Sequence, residues 1–360
     1  MRYADFNGIE LSRLGMGNMR LPVRGITRSI DEAKARAIID YCMESGINYY
    51  DTALFYHHGA SEPFLGKALS RHPRDSYYLA DKYLFVRPDY KRVFEGQLKK
   101  LKTDRIDFYL VHSLMDVNAG AYEGNGCIDY FLEQQRQGRI GYLGFSSHAS
   151  TKVLKRFLEH HRWDFCQLQL NYYDWEYGTA REQYELACDH DTPVMVMEPL
   201  RGGKLASLSS EADAVLKAVS PRASVASWGM RWLMGLDNVK VVLSGMGDLA
   251  QVKDNVETFS YAAPLDERER SALATALALY RKEVAVPCTA CRYCTDDCPR
   301  KIDIPEVLSV YNQWKAHGDV DAGKLPQPGP DACISCGACM RICPQGIDIP
   351  QCMVELAQAQ

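Results

Sequence analysis

The C-terminal part of the chain contains one cysteine spacing twice. Cys288, Cys291, Cys294 and Cys298 form C-x2-C-x2-C-x3-C, followed by Pro299. The second copy ends at Pro344 and consists of Cys333, Cys336, Cys339 and Cys343. Eight of the 13 cysteines therefore lie in two short segments of identical spacing.

This spacing is that of bacterial ferredoxins, which bind [4Fe–4S] clusters through cysteine thiolates. Three cysteines at intervals of three fit a backbone that curls around one cuboidal cluster. The fourth cannot close on the same cluster and ligates the other one. We therefore predict two clusters with crossed ligands. The first set is Cys288, Cys291, Cys294 and Cys343, and the second set is Cys333, Cys336, Cys339 and Cys298.

Zinc and disulfides are the alternatives for these cysteines. Zinc sites usually use two C-x2-C pairs set well apart, without a trailing Cys-Pro. Disulfides are rare in the cytosol, and the N-terminal sequence MRYADFNGIELSRLG has no apolar signal core. The remaining five cysteines have apolar or helix-like neighbours and are predicted to be small buried side chains: Cys42, Cys127, Cys166, Cys188 and Cys352.

Length and composition indicate a globular chain with one large and one small domain. The 360 residues are 46% hydrophobic and 24% charged, which is ordinary for such proteins. A net charge of -4 gives no reason to expect nucleic acid or an anionic membrane as a partner. No apolar run approaches membrane-spanning length, so we expect a cytoplasmic protein.

Strand and helix patterns alternate over most of the chain, which favours an α/β fold with parallel strands and crossover helices. Eight such units in about 250 residues fit a (β/α)8 barrel. An open doubly wound sheet is the alternative, but no G-x-G-x-x-G follows the first strand. The predicted strands are 13–17, 47–51, 78–82, 107–112, 140–146, 165–170, 193–197 and 239–244.

Local signals refine both ends of the predicted barrel. Residues 2–11 read as a hairpin that turns at Asn7-Gly8, since Asn-Gly suits a type I′ turn. Ser29 and Glu32 have the spacing of a capping box and predict a helix start. The barrel pattern stops near residues 262–264, and a bridging helix is predicted at 266–284. We expect a barrel domain at 1–282 and a mainly helical cluster domain at 283–360, with a helical tract at 307–314.

Four polar residues follow predicted strands in a way that suggests an active site. In a (β/α)8 barrel the active site lies at the carboxyl ends of the strands. Asp51 and Tyr56 follow the second strand, Lys82 ends the third, and His112 ends the fourth. A nearby lysine cation favours a phenolate, so a tyrosine beside it becomes a better proton donor. Aspartate would fix the lysine, and histidine would orient a substrate oxygen.

INYYDTALFY, LADK and LVHS resemble the catalytic segments of the aldo/keto reductase family in order and spacing. The resemblance covers roughly residues 1–282 and implies Tyr56 as general acid, tuned by Lys82 and Asp51, with His112 orienting a carbonyl. It also implies NADP or NAD as cofactor. The implied contacts are Ser146, Ser147 and Gln167 for the nicotinamide amide, Met197 for its ring, Leu200 and Gly202 for the pyrophosphate, and Ser244, Gly245, Met246, Gln251 and Asn255 for the adenosine end.

The sequence departs from the family pattern at the adenosine end and around the substrate pocket. Many members have an arginine for the 2′-phosphate where this chain has Gln251, and Lys253 could replace it only by turning inward. The family's long C-terminal loop is replaced by the cluster domain. We expect that domain to wall the pocket together with Tyr122, Tyr172 and Trp175. The whole chain resembles the branch of the family that carries a C-terminal ferredoxin appendage.

Three functions fit these features. The first is an NAD(P)H-dependent carbonyl reductase or alcohol dehydrogenase whose clusters transfer electrons or sense redox state. The second is a reductase in which a ferredoxin or other redox protein feeds single electrons through the clusters to a substrate or a flavin at the barrel mouth. A barrel mouth can bind flavin without a sequence fingerprint. The third is a non-catalytic electron-transfer subunit, which the four polar residues argue against.

Overall fold

The computed structural model describes residues 1–25 and 28–359. The chain divides into two compact units. The barrel unit consists of Met1–Pro199 and Ser227–Leu265, and the cluster unit consists of Leu200–Ala226 and Asp266–Gln360. The cluster unit thus includes two segments that the predicted boundary after residue 282 assigns to the barrel.

Eight parallel strands form the closed barrel in the order β10-β3-β4-β5-β6-β7-β8-β9. The predicted barrel is confirmed, and the doubly wound sheet is wrong. A hairpin of β1 (Tyr3–Phe6) and β2 (Ile9–Ser12) precedes it. The barrel strands are β3 (Leu14–Gly17), β4 (Tyr49–Asp51), β5 (Tyr78–Tyr83), β6 (Ile106–Leu114), β7 (Ile140–Ser147), β8 (Phe165–Gln169), β9 (Val194–Met197) and β10 (Val239–Ser244).

The hairpin closes the amino-terminal end of the barrel with apolar side chains. Asn7 and Gly8 both have positive φ angles, 51° and 84°, as the predicted type I′ turn requires. Phe6 is buried, and its ring centroid lies 5.3 Å from that of Phe108 and 4.9 Å from that of Tyr142. The hairpin thus fills the amino-terminal end of the barrel. The polar residues at the carboxyl ends of the strands lie at the opposite end.

Helices of the barrel unit alternate with its strands. They are α1 (Glu32–Glu44), α2 (Ser61–Leu69), α3 (Tyr90–Leu101), α4 (Ala119–Gly124), α5 (Cys127–Arg136), α6 (Thr151–His160), α7 (Tyr172–Tyr177), α8 (Ala180–Asp189), α10 (Val225–Met234, which begins in the cluster unit) and α11 (Leu249–Tyr261). No helix among the described residues is long and apolar enough to cross a bilayer.

The predicted capping box at the start of α1 is wrong. Asp31 is the N-cap, and its side chain accepts a hydrogen bond from the Lys34 amide. The Ser29 carbonyl instead accepts from the Arg24 amide, and Ile30 forms a bridge with Val23. The backbone at Ser29 and Ile30 is therefore still hydrogen-bonded to residues 23 and 24, so the helix can begin only after residue 30.

The cluster unit is mainly helical, as predicted. It contains α9 (Ser210–Val219), α12 (Glu267–Arg281), α13 (Tyr293–Asp296), α14 (Ile304–His317), α15 (Ala338–Arg341) and α16 (Ile349–Gln358). The predicted tract at 307–314 lies within α14. A core of side chains from α14 and α16, with Val307 and Leu356 fully buried, surrounds the buried cysteines of both motifs. Apolar packing between these helices therefore fixes the positions of the thiols.

Candidate functional site

A buried ion pair lies at the carboxyl ends of two neighbouring strands. Lys82 on β5 is fully buried, and its Nζ lies 2.6 Å from Oδ2 of Asp51 on β4. The same ammonium donates to the Thr52 carbonyl at 2.7 Å. Burial raises the pKa of the Asp51 carboxyl, and the Lys82 charge opposes that rise. Asn18, which the sequence did not single out, donates to the Asp51 carbonyl at 2.8 Å and helps to hold this strand end.

Tyr56 and His112 complete a contiguous group around this ion pair. The Lys82 ammonium lies 5.2 Å from the centroid of the Tyr56 ring. The Tyr56 and His112 ring centroids are 6.1 Å apart, with the planes at 81°. Both side chains are largely buried, at 8% and 7% exposed. The structure thus brings the four residues predicted as catalytic into one cluster.

A left-handed turn follows Tyr56 directly. His57 and His58 have φ angles of 52° and 54°, and Gly59 follows at 87°. Non-glycine residues rarely adopt such angles, although histidine does so more often than most. The Leu21 amide donates to Nε2 of His57 at 3.1 Å and ties the turn to the loop after β3. The HHG sequence after Tyr56 is the signal that could have indicated this turn.

His112 is neutral at pH 7. Burial lowers its pKa well below the ordinary value, and the charge of Lys82 lowers it further. Its Nδ1 is buried without a hydrogen-bond partner among the described residues. The hydroxyl of Tyr122 donates to the His112 carbonyl at 2.5 Å.

Three aromatic residues are expected to wall the substrate pocket, and Tyr122 is one of them. Tyr122 is fully buried, and its hydroxyl accepts from the Phe85 amide at 3.2 Å while it donates to His112. These hydrogen bonds hold the backbone of β6 in place at His112. Tyr172 is also buried, and the Trp175 ring lies 5.2 Å from that of Trp232. Their role as pocket walls stays a prediction.

Acid should destabilise the barrel through His148, which follows β7. Burial lowers the pKa of His148 from 6.5 to about 4. The unfolded chain then binds more protons than the folded chain between these two values, so stability is lost as the pH falls from about 6.5 to about 4. Thermal melting followed by circular dichroism should show this loss, and His148→Asn should make it smaller. An equal loss in that variant would contradict the assignment.

The residues predicted for the nicotinamide amide lie side by side. Ser146 on β7 and Gln167 on β8 are register partners, and Ser147 pairs with Leu168. The Ser146 hydroxyl oxygen accepts from the Ser113 amide at 2.8 Å, and that of Ser147 accepts from the Ala149 amide at 3.1 Å. Each hydroxyl retains a hydrogen to donate. The Gln167 Oε1 is buried without a partner among the described residues, as a site for an amide group requires.

The predicted adenosine end is built around the start of α11. Asn255 donates to the Ser244 hydroxyl at 3.0 Å, and Met246 is buried. The Gln251 side-chain oxygen accepts from the Gly247 amide at 2.8 Å. A Cβ on Gly245 would come within 3.1 Å of the Arg20 side chain, so glycine permits this close approach. These five predicted positions therefore lie in one continuous segment that runs from the end of β10 into α11.

Lys253 does not turn toward the predicted 2′-phosphate position. Its ammonium lies 5.8 Å from the centroid of the Tyr41 ring, on α1. The side chain of Gln251 is directed to the Gly247 amide. The side chains at these two positions are thus engaged with the protein itself, which bears on the choice between NADP and NAD.

The remaining predicted cofactor residues fall in different units. Met197 ends β9 in the barrel unit and is half-buried. Leu200 and Gly202 belong to the cluster unit, so the structure does not place them in one compact unit with the other predicted contacts. Gly202 and Gly203 have φ angles of 63° and 95° within the helical turn Arg201–Ala206.

The cysteines separate into the two crossed sets. The first set, Cys288, Cys291, Cys294 and Cys343, lines one cavity. The second set, Cys333, Cys336, Cys339 and Cys298, lines another. Each cavity contains the fourth cysteine of the other motif. The arrangement therefore fits the crossed ligation predicted from the spacing.

The two motifs share backbone geometry as well as spacing. The Ala290 amide donates to Cys288 Sγ at 3.4 Å, and the Ser335 amide donates to Cys333 Sγ at 3.4 Å. Both amide residues have positive φ angles, 52° and 51°. Within the described ranges no group of three His, Cys, Asp or Glu side chains is close enough to hold a single metal ion.

The other five cysteines lie outside both sets. Cys42, Cys127, Cys166 and Cys352 are buried, as expected, whereas Cys188 is only partly buried. Burial raises the pKa of the Cys42 thiol to about 12 and that of Cys127 to about 12, so both remain neutral.

Comparison with known proteins finds two family models on the chain. The aldo/keto reductase family model matches residues 13–277, and a 4Fe-4S dicluster domain model matches residues 287–347. The uncharacterized oxidoreductase YqkF of Bacillus subtilis is 25% identical over 74% of this chain and 92% of its own length. The 6-dehydroglucose reductase of Novosphingobium aromaticivorans is 27% identical over 71% of this chain and 89% of its own.

A solved structure gives the same result for the barrel. The aldo-keto reductase AKR11C1 from Bacillus halodurans, in its holo form, superposes with a TM-score of 0.63 at 27% identity. The match covers 77% of this chain and 96% of that one. The similarity therefore extends over nearly the whole of a barrel enzyme.

Proposed function

Because the chain belongs to the aldo/keto reductase family and carries a 4Fe-4S domain, we propose that its barrel reduces a carbonyl compound with NADPH or NADH, or oxidises the corresponding alcohol. The observation that carries this proposal is the buried Lys82–Asp51 ion pair, with the Lys82 ammonium over the Tyr56 ring and His112 beside it. A structural ion pair alone would not require a tyrosine and a neutral histidine at the same strand ends.

Each of the four residues has a separate task in this reaction. A reduced nicotinamide held at the barrel mouth would supply the hydride for the carbonyl carbon. Tyr56 gives its phenolic proton to the carbonyl oxygen, and the Lys82 cation stabilises the phenolate that remains. Asp51 keeps Lys82 charged and in place. His112, which is neutral, donates a ring N–H hydrogen bond to the same oxygen and orients it.

Ser146, Ser147 and Gln167 would hold the carboxamide of the nicotinamide. The serine hydroxyls retain hydrogens to donate, and the Gln167 oxygen can accept from the carboxamide nitrogen. Leu200 and Gly202 are assigned to the pyrophosphate, and Ser244, Gly245, Met246, Gln251 and Asn255 to the adenosine end. These assignments rest on the family resemblance and on the buried, unpartnered oxygen of Gln167.

Replacement of Gln167 by leucine should weaken dinucleotide binding about fivefold, since one hydrogen bond contributes on the order of 1 kcal/mol. Fluorescence titration with NADPH and NADH measures the change. Gln137→Leu, at an exposed glutamine just after α5, is the control and should leave the affinity unchanged. Equal affinities for wild type and Gln167→Leu would remove Gln167 from the cofactor site.

Two [4Fe–4S] clusters, each exchanging one electron, would be held by the two crossed cysteine sets. Cys343→Ala should then damage the cluster of Cys288, Cys291 and Cys294, although Cys343 belongs to the other motif. Iron analysis and electron paramagnetic resonance of anaerobically purified protein test this. Cys352→Ala is the control, because Cys352 lies outside both sets. Loss of the cluster of Cys333, Cys336 and Cys339 in Cys343→Ala would show that the ligation is not crossed.

A ferredoxin-fed reductase is the second candidate, with electrons passing through the clusters to a substrate or flavin at the barrel mouth. The engagement of Gln251 and Lys253 with other parts of the protein favours it, because both positions lie at the predicted adenosine end. Anaerobic protein should be mixed with NADPH or NADH and a panel of aldehydes and ketones. Turnover supports the first candidate, whereas turnover only with reduced ferredoxin supports the second.

A further inference from the structure

Arg201 contacts residues that directly flank both cysteine motifs, each of which supplies ligands to the first set. It lies in the cluster unit and is 2% exposed. Its Nη2 donates to the Pro287 carbonyl at 2.5 Å and to the Gln345 side-chain oxygen at 3.4 Å. Pro287 immediately precedes Cys288, and Gln345 lies two residues after Cys343. One guanidinium thus joins the two chain segments that must meet for the first set to form.

The charge of Arg201 lies close to the first set, because its guanidinium bonds the residue before Cys288 and a residue two positions after Cys343. A cation at this position favours the more negative, reduced state of a cluster bound there. Because Arg201 is buried, its effect is weakly screened by solvent.

The second cysteine set has a similar arginine in a different environment. Arg300 Nε donates to the Ala332 carbonyl at 3.2 Å, and Ala332 immediately precedes Cys333. Arg300 is exposed, as is Cys336 of the same set. Water therefore screens this charge, and the two repeated motifs differ in how strongly an arginine acts on them.

We propose that Arg201 is a positioning residue that clamps the cluster of the first set and raises its reduction potential relative to that of the second.

The clamp is tested by anaerobic redox titration of the full cluster-loaded chain, followed by electron paramagnetic resonance. Arg201→Gln should lower the potential of one cluster only, and Arg201→Lys, which keeps the charge, should restore most of it. Arg300→Gln is the matched control and should cause a smaller shift. Loss of half of the iron in Arg201→Gln, with loss of the first cluster's signal, would also support the clamp. Both potentials unchanged in Arg201→Gln, or an equal shift in Arg300→Gln, would overturn it.

Discussion

Tyr56→Phe should lower kcat for carbonyl reduction by about 10²–10⁴-fold, the usual contribution of a positioned proton donor. The phenyl ring keeps the packing against His112 and Lys82 but has no proton to give. Dinucleotide affinity should change little, and both clusters should stay bound. Initial rates under anaerobic conditions measure kcat, and fluorescence titration measures the dinucleotide affinity. Iron analysis of the same samples measures the cluster content.

Tyr261→Phe is the control for this substitution. Tyr261 is 84% exposed at the end of α11, so loss of its hydroxyl should leave kcat unchanged. An unchanged kcat of Tyr56→Phe would contradict the assignment of Tyr56 as the proton donor. A loss of activity accompanied by loss of iron would indicate damage to the fold, so only a loss with full iron content supports the assignment.

Lys82→Met should have the largest effect on stability. It leaves the Asp51 carboxylate buried without its partner, and breaking a buried ion pair from one side costs about 3–5 kcal/mol. The melting temperature of the barrel, followed by circular dichroism at a fixed scan rate, should fall by roughly 5 °C or more. Carbonyl reduction should also be lost, since no cation then stabilises the Tyr56 phenolate.

The double variant Asp51→Asn with Lys82→Met separates the two effects. It removes both charges, so it should melt above Lys82→Met alone while remaining inactive. A double variant that melts lower than the single one would mean that the ion pair is not the source of the instability. Recovery of activity in the double variant would mean that Lys82 has no chemical role.

The barrel could be predicted from the sequence because its signals are local and repeated. Each strand is a short apolar run followed by an amphipathic helix, and only a few folds accept eight such units. The start of α1 was missed because its position depends on the hydrogen bond from the Arg24 amide to the Ser29 carbonyl, a contact that no capping pattern reports.

Site residues at strand ends could be predicted from the sequence. Residues whose contacts depend on tertiary packing could not. Asp51, Lys82 and His112 end neighbouring strands, so the topology alone brings them together. The sequence around Tyr122 does not show that its hydroxyl donates a hydrogen bond to the His112 carbonyl. Arg201 could not be found from sequence, since its partners Pro287 and Gln345 are distant in the chain and carry no motif.

Transfer of label from the cofactor tests the central proposal most directly. NADPH and NADH carrying deuterium at C4 of the nicotinamide, on the face that is transferred, should be given to the anaerobic enzyme with an aldehyde that it reduces. Direct hydride transfer predicts deuterium on the carbinol carbon of the product alcohol. An unlabelled product, with hydrogen from solvent at that carbon, would contradict hydride transfer and indicate that single electrons reach the substrate through the clusters.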